Sequence, residues 1–196
     1  MYVPKINSHR RIAMKKIALV VGHRSRSQGA YGDMGISEWK FYNQLVKEIV
    51  EEAEDVDVEL KVFHRRESGH GYTSRMKALH REIDAWGADI SIALHFNASS
   101  HASANGHEVL HCAFSSTSAK YASIMNSAFT KHLNNRDRGV KPKSRKDRGG
   151  GFLCRGRSYC ILIEPFFASH QHEYMPGQRA REELINSFIE FFDKVS

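Results

Sequence analysis

The sequence has little of what would place it in a membrane or hold it together by cross-links. The longest apolar run near its start, Ile17 to Val21, is five residues, far below the roughly 20 that a membrane-spanning helix requires. It is also shorter than the apolar core of a cleaved signal peptide, about 7–15 residues. Met14-Lys15-Lys16 imitates a basic leader, yet export by such a signal is not expected. Cysteine is scarce: Cys112, Cys154 and Cys160 are an odd number with no Cys-x-x-Cys pair, which argues against a disulfide framework or a cysteine-based zinc knuckle. The expectation is buried or idle thiols in a chain made in a reducing compartment. No repeat, linker or second domain is visible, and 41% hydrophobic with 26% charged residues over 196 positions is ordinary globular composition, enough for one domain with a substantial core.

Histidine, by contrast, is abundant. There are 12, more than the 2 Trp and 7 Tyr together, and that invites a search for a metal site. Residues 1–13 are polar, carry His9-Arg10-Arg11 and read as an extension ahead of a domain covering 14–196. Lys16 to Gly22 is a short β-branched run ending in glycine, the mark of a buried strand. His23 to Ser37 reads as a loop. A helix follows with Ser37 as N-cap and Trp39, Tyr42, Leu45, Val46, Ile49 and Val50 on one face. Further strands are expected over Val56–Phe63, Asp89–Leu94, Gly106–Phe114 and Tyr159–Ile163. Helices are expected over Thr73–Trp86, Thr117–Leu133 and about Gln178–Lys194. Strands alternating with helices indicate an α/β domain with a mainly parallel sheet.

Charge is unevenly spread. Nine basic residues against Asp137 and Asp147 give 136–157 a balance of +7, equal to that of the whole chain. With Gly149-Gly150-Gly151 in its middle, this segment reads as a long flexible loop of functional type.

Three predicted strands end in a residue able to bind metal or move protons: His23, His95 and Glu164. Parallel strands would bring all three to one carboxyl edge of the sheet, where open α/β folds place their sites. Glu38, in the first turn of the helix after the His23 loop, should start beside that edge. Two imidazoles and one carboxylate make a three-ligand zinc set with the fourth position left for water, and Glu164 remains as general base.

Six segments stand in an order that resembles the zinc-dependent N-acetylmuramoyl-L-alanine amidases of bacterial cell-wall hydrolases and phage endolysins. They are VVGH ending at His23, GISEWK around Glu38, SIALHFNAS around His95, NGHEVLH after it, DRGVK at 137–141 and ILIEPFF around Glu164. The resemblance spans roughly 16–194. It implies a single three-layer domain with a mixed sheet of about six strands. It matches His23, Glu38 and His95 to ligands of one Zn2+ per chain and Glu164 to the catalytic glutamate. The substrate implied is peptidoglycan, cut between N-acetylmuramic acid and L-alanine of the peptide stem. The family's usual Asp-x-Gly-His-Gly pattern is here Val20-Val21-Gly22-His23-Arg24, a departure that touches the support of His23. Asn97, two residues beyond His95 and on the same side of an extended chain, is a candidate for holding a polar group of the substrate. The missing leader and wall-binding module point to a phage lysin made in the cytoplasm and acting on the wall from the periplasm, its 136–157 segment drawn to the anionic envelope.

Two rival readings carry specific residues. His107-Glu108-Val109-Leu110-His111 spells the H-E-x-x-H of zinc peptidases, which functions on a helix. Here Asn105-Gly106 precedes it and Ser115-Ser116 closes it, so a strand is expected, with Glu108 facing away from both histidines. A nucleic-acid-binding module would use the 136–157 charge, but Phe152 is the only aromatic ring there, too few for stacking on single strands.

Overall fold

A computed structural model describes residues 14–31, 35–68, 71–101, 103–168 and 178–196; the expected extension 1–13 lies outside them. The chain forms β1 (Lys15–Val21), α1 (Glu38–Glu52), β2 (Val58–His64), α2 (Gly71–Trp86), β3 (Ile90–Leu94), β4 (His107–Cys112), α3 (Ser116–His132), β5 (Asp137–Lys143), α4 (Gly150–Leu153), β6 (Tyr159–Glu164) and α5 (Gln178–Val195). The six strands make one mixed sheet in the order β2-β1-β3-β6-β4-β5. β2, β1, β3 and β6 run parallel, β4 runs antiparallel to β6, and β5 is parallel to β4. The expected α/β class, three layers and strand number all hold.

Side-chain alternation builds the layers, because successive strand residues point to opposite faces. Ile17, Leu19 and Val21 of β1, Ile90, Ile92 and Leu94 of β3, and Ile161 and Ile163 of β6 pack under α1, α3 and α5. Ala18, Val20, Ala93 and Leu162 face the other way, toward Met76, Leu79 and Ile83 of α2 and Phe152 and Leu153 of α4. Both faces being covered explains why these strands read as continuous apolar runs. The Ser37 hydroxyl accepts from the Lys40 amide at 3.2 Å and caps α1, as the sequence suggested. The buried face of α1 is Phe41, Tyr42, Leu45, Val46 and Ile49, while Val50, expected inside, is exposed.

Two expectations are overturned. Residues 136–157 are not a long flexible loop: β5 occupies the first part, paired with β4, and α4 the second. The glycine run marks close packing. A Cβ on Gly150 would lie 1.8 Å from the Ser144 carbonyl oxygen, so only glycine lets the two turns meet. Nor are all the cysteines idle thiols, since Cys112 at the end of β4 and Cys154 just beyond α4 form a disulfide. Their separation of 42 residues gave no spacing signal, and the pairing exists because β5 brings the chain back beside β4. Cys160 alone is free, and buried.

Candidate active site

Register fixes where the chemistry gathers. Val21 lies beside Leu94, and Leu94 beside Ile163, so the residues that follow them, His23, His95 and Glu164, emerge together at the carboxyl edge. Glu38 reaches the same edge as the first residue of α1, at the positive end of the helix dipole.

His23, Glu38 and His95 form the group found among the described residues that could hold a metal ion, their ligand atoms all within 4.8 Å of one another. Glu38 bridges the histidines, with Oε2 3.2 Å from His23 Nε2 and Oε1 2.8 Å from His95 Nδ1. Its oxygens also accept from the backbone N–H groups of Ala30 at 3.1 Å and Phe96 at 3.0 Å. Burial alone would raise the Glu38 pKa, but the hydrogen bonds and charges of the two histidines outweigh it and bring it down to about 2. Burial lowers the pKa of His95, against the pull of Glu38, so this imidazole is neutral and keeps a lone pair. An ionised carboxylate and a neutral imidazole are the forms that ligate metal. The donors therefore suit a divalent ion such as zinc. His23 sits in left-handed backbone at φ 62°, and a Cβ on Gly29 (φ 80°) would fall 2.5 Å from Glu38 Oε2, so glycine there leaves room for the cluster.

Beside it, Glu164 and Glu108 are opposed across the antiparallel β4–β6 pair. Burial, a side-chain hydrogen bond with Glu108 and the like charge of Glu108 all raise the pKa of Glu164, with Arg148 opposing. The two carboxyl groups thus share a side-chain hydrogen bond. Glu108 in turn accepts from Arg138 Nε at 2.7 Å and from Asn97 Nδ2 at 3.1 Å. His23, His95, Asn97, Glu108 and Glu164 line one cavity of about 950 Å3.

All five residues singled out in the sequence thus come together. Two more were missed. Glu108 enters because β4 runs antiparallel, which puts its first residues next to the last of β6; periodicity does not reveal strand direction. Arg65 was findable, because it directly follows β2 at the same carboxyl edge. Its Nη2 lies 3.0 Å from His95 Nε2, and its Nε is buried without a partner. The H-E-x-x-H segment is a strand, as expected. His107 is fully buried and engaged by Asn135 at 2.7 Å and Thr130 at 3.2 Å. His111 Nδ1 lies against the Cys112 carbonyl at 2.9 Å. These two histidines share no metal-binding group among the described residues.

Comparison with known proteins bears on the same frame. The family model described as N-acetylmuramoyl-L-alanine amidase matches residues 17–181. An N-acetylmuramoyl-L-alanine amidase from Clostridium difficile 630 superposes with a TM-score of 0.76 at 18% identity, over 91% of this chain and 95% of that one. The catalytic domain of an endolysin targeting Clostridia difficile gives 0.75 at 21% identity, over 93% and 98%. An N-acetylmuramoyl-L-alanine amidase of Nostoc punctiforme gives 0.76 at 14%, over 92% and 96%. No curated protein sequence matches.

Proposed function

The chain belongs to the N-acetylmuramoyl-L-alanine amidase family and is a peptidoglycan amidase, and from that premise we propose that His23, Glu38 and His95 hold one Zn2+ while Glu164 moves the protons of the reaction. The observation that carries this reading is the convergence on a single cavity of the His-Glu-His cluster and a glutamate whose pKa is raised by its surroundings. When bound, zinc would stabilise negative charge developing on the amide oxygen and lower the pKa of water toward 7.

The protein's own groups do the rest. Glu164 in its ionised form takes a proton from the attacking water, then delivers it to the nitrogen of the departing L-alanine. A carboxyl whose pKa is raised toward neutrality suits both transfers. Glu108, held by Arg138 and Asn97, adds to the rise that burial begins. Asn97 is positioned to offer an amide group to the substrate through the face not used by Glu108. Arg65 keeps permanent positive charge at the floor of the site.

The test is incubation of the purified protein with peptidoglycan sacculi, with and without chelator, followed by mass spectrometry of the released fragments. Free peptide stems beginning with L-alanine are expected, lost with chelator and regained with zinc. Cuts within the peptide stem would overturn the reading.

The wider role proposed is that of a phage lysin, synthesised in the cytoplasm and admitted to the wall by a separate membrane lesion. The likeness to an endolysin catalytic domain supports it. Among the described residues no helix is long and apolar enough to cross a membrane. Cells expressing the protein should stay intact until their inner membrane is permeabilised, then lyse; lysis without permeabilisation would count against this role.

A further inference from the structure

We propose that the basic part of the lining of the cavity that holds His23 and His95 is a carboxylate-recognition subsite, built from Lys77, Arg145 and Lys146 with Lys143, Arg148 and Arg155, which selects acidic peptide stems. The inference rests on the amidase reading for the identity of the peptide and deepens it by naming its charge.

The nine basic residues of 136–157 are divided by the fold. Lys143, Arg145, Lys146, Arg148 and Arg155 all line the cavity, where Lys77 of α2 joins them. Arg138 is taken by Glu108. Among the described residues no carboxylate stands within ion-pair distance of Lys77, Arg145 or Lys146. The carboxylate inside the turn, Asp147, is engaged instead by the Ser144 amide at 2.6 Å. Unpaired cations on one wall of a concave site add their potentials and draw in an anion, with low-dielectric walls focusing the field. The effect spans about 8–10 Å at physiological salt, enough to cross much of this cavity.

The wall is held in place rather than free to collapse onto solvent. The Asp147 amide donates to the Ser144 carbonyl at 3.1 Å and the Gly150 amide to the Asp147 carbonyl at 2.9 Å. Phe152 and Leu153 are buried against α2 and β6. The Cys112–Cys154 disulfide ties the far end of the segment to β4. A turn whose backbone is set before the ligand arrives loses little backbone entropy on binding it. Phe152, the segment's one ring, is 1% exposed, so the segment itself offers no ring for base stacking and a nucleic acid is the poorer fit. Two carboxylates, Glu108 and Glu164, line the same cavity beside His23 and His95. A peptide lying across the cavity would therefore place its scissile amide there and its own carboxylates at the basic wall.

The experiment uses the zinc-loaded protein with two soluble muramoyl-peptides of identical sequence, one with free stem carboxylates and one with them amidated. The free form is expected to be preferred on the order of tenfold in kcat/KM, mainly through KM, with the preference shrinking at high salt. The double variant Arg145→Gln, Lys146→Gln should bring the ratio close to one by raising KM for the free form. Arg148 is left in place because it acts on Glu164 as well. A ratio that the substitutions leave intact overturns the subsite. An equal loss on both peptides does so too, and would mark the segment as a general envelope-attracting surface. If neither peptide is cut, the amidase reading fails, and fluorescence anisotropy with labelled, uncleaved stem peptides then decides the subsite alone. Tighter binding of the free form that the double variant abolishes supports it; equal binding of both forms overturns it.

Discussion

Glu164 takes its raised proton affinity from its surroundings, burial first. Burial and Glu108 push its pKa up together, so the ionised form that accepts a proton from water gains population only as pH rises. Activity should climb with pH along a limb set by that raised value. Glu108→Gln removes the like charge, lets Glu164 ionise earlier and moves the limb to lower pH; a pH–rate profile of the variant reads the shift directly. Glu164→Gln, which keeps the shape and loses the proton chemistry, should cut kcat by roughly 10²–10⁴ while bound metal stays at one per chain. The ligands behave oppositely. His23→Ala or His95→Ala should lose the metal itself, measured by elemental analysis, whereas His107→Ala should retain it, because His107 is enclosed between Asn135 and Thr130. Retention of metal without His95 would break the assignment.

At the scale of elements, the Cys112–Cys154 bridge has the clearest consequence. It closes a 42-residue separation, for which the chain-entropy account gives a stabilisation of roughly 4 kcal/mol. Cys112→Ser, or reductant on the native protein, should lower the denaturation midpoint by a matching amount, with Cys160→Ser as the buried-thiol comparison. An unchanged midpoint would mean that the two sulfurs are not joined in solution.

The bridge also shows where the sequence stops being readable. β1, β3 and β6 were legible because a fully buried parallel strand is a short apolar run ending at a polar residue, and the polar residues at those ends were the site. α1 was legible from Ser37 and its spaced apolar face. β5 was not, because Asp-Arg-Gly-Val-Lys-Pro-Lys is an edge strand. Its charges and proline are what keep an edge from pairing with another chain, and the same features look like loop. With β5 unseen, the return of Cys154 to Cys112 had no warrant. The antiparallel direction of β4, and with it the place of Glu108, is likewise a tertiary fact. It is decided by pairing with β6 rather than by any local pattern.

Across the whole molecule, acid acts through the interior as well as the surface. His80 of α2 is 2% exposed and its ring lies 5.0 Å from that of Phe152, beneath the basic wall. Burial pushes its pKa down to about 4, with Arg155 adding to the effect and Asp84 opposing it. Between the ordinary histidine value of 6.5 and about 4, the unfolded chain carries a proton on this imidazole that the folded chain refuses. Stability therefore falls as pH is lowered through that window. Integrated to pH 4.5, the loss from this one group is roughly 2–3 kcal/mol, a large share of the margin of a typical domain. Urea denaturation at pH 7.5 and pH 4.5 measures the total change. The same pair of curves for His80→Leu, which packs on Phe152 and cannot protonate, isolates this residue's part. The variant should lose less stability on acidification than the parent by about that amount. Because His80 supports α4 from below, the parent's acid loss should coincide with the basic wall letting go, so the preference for acidic stems should weaken before the cavity as a whole opens. An equal acid loss in parent and variant would place the sensitivity elsewhere in the molecule.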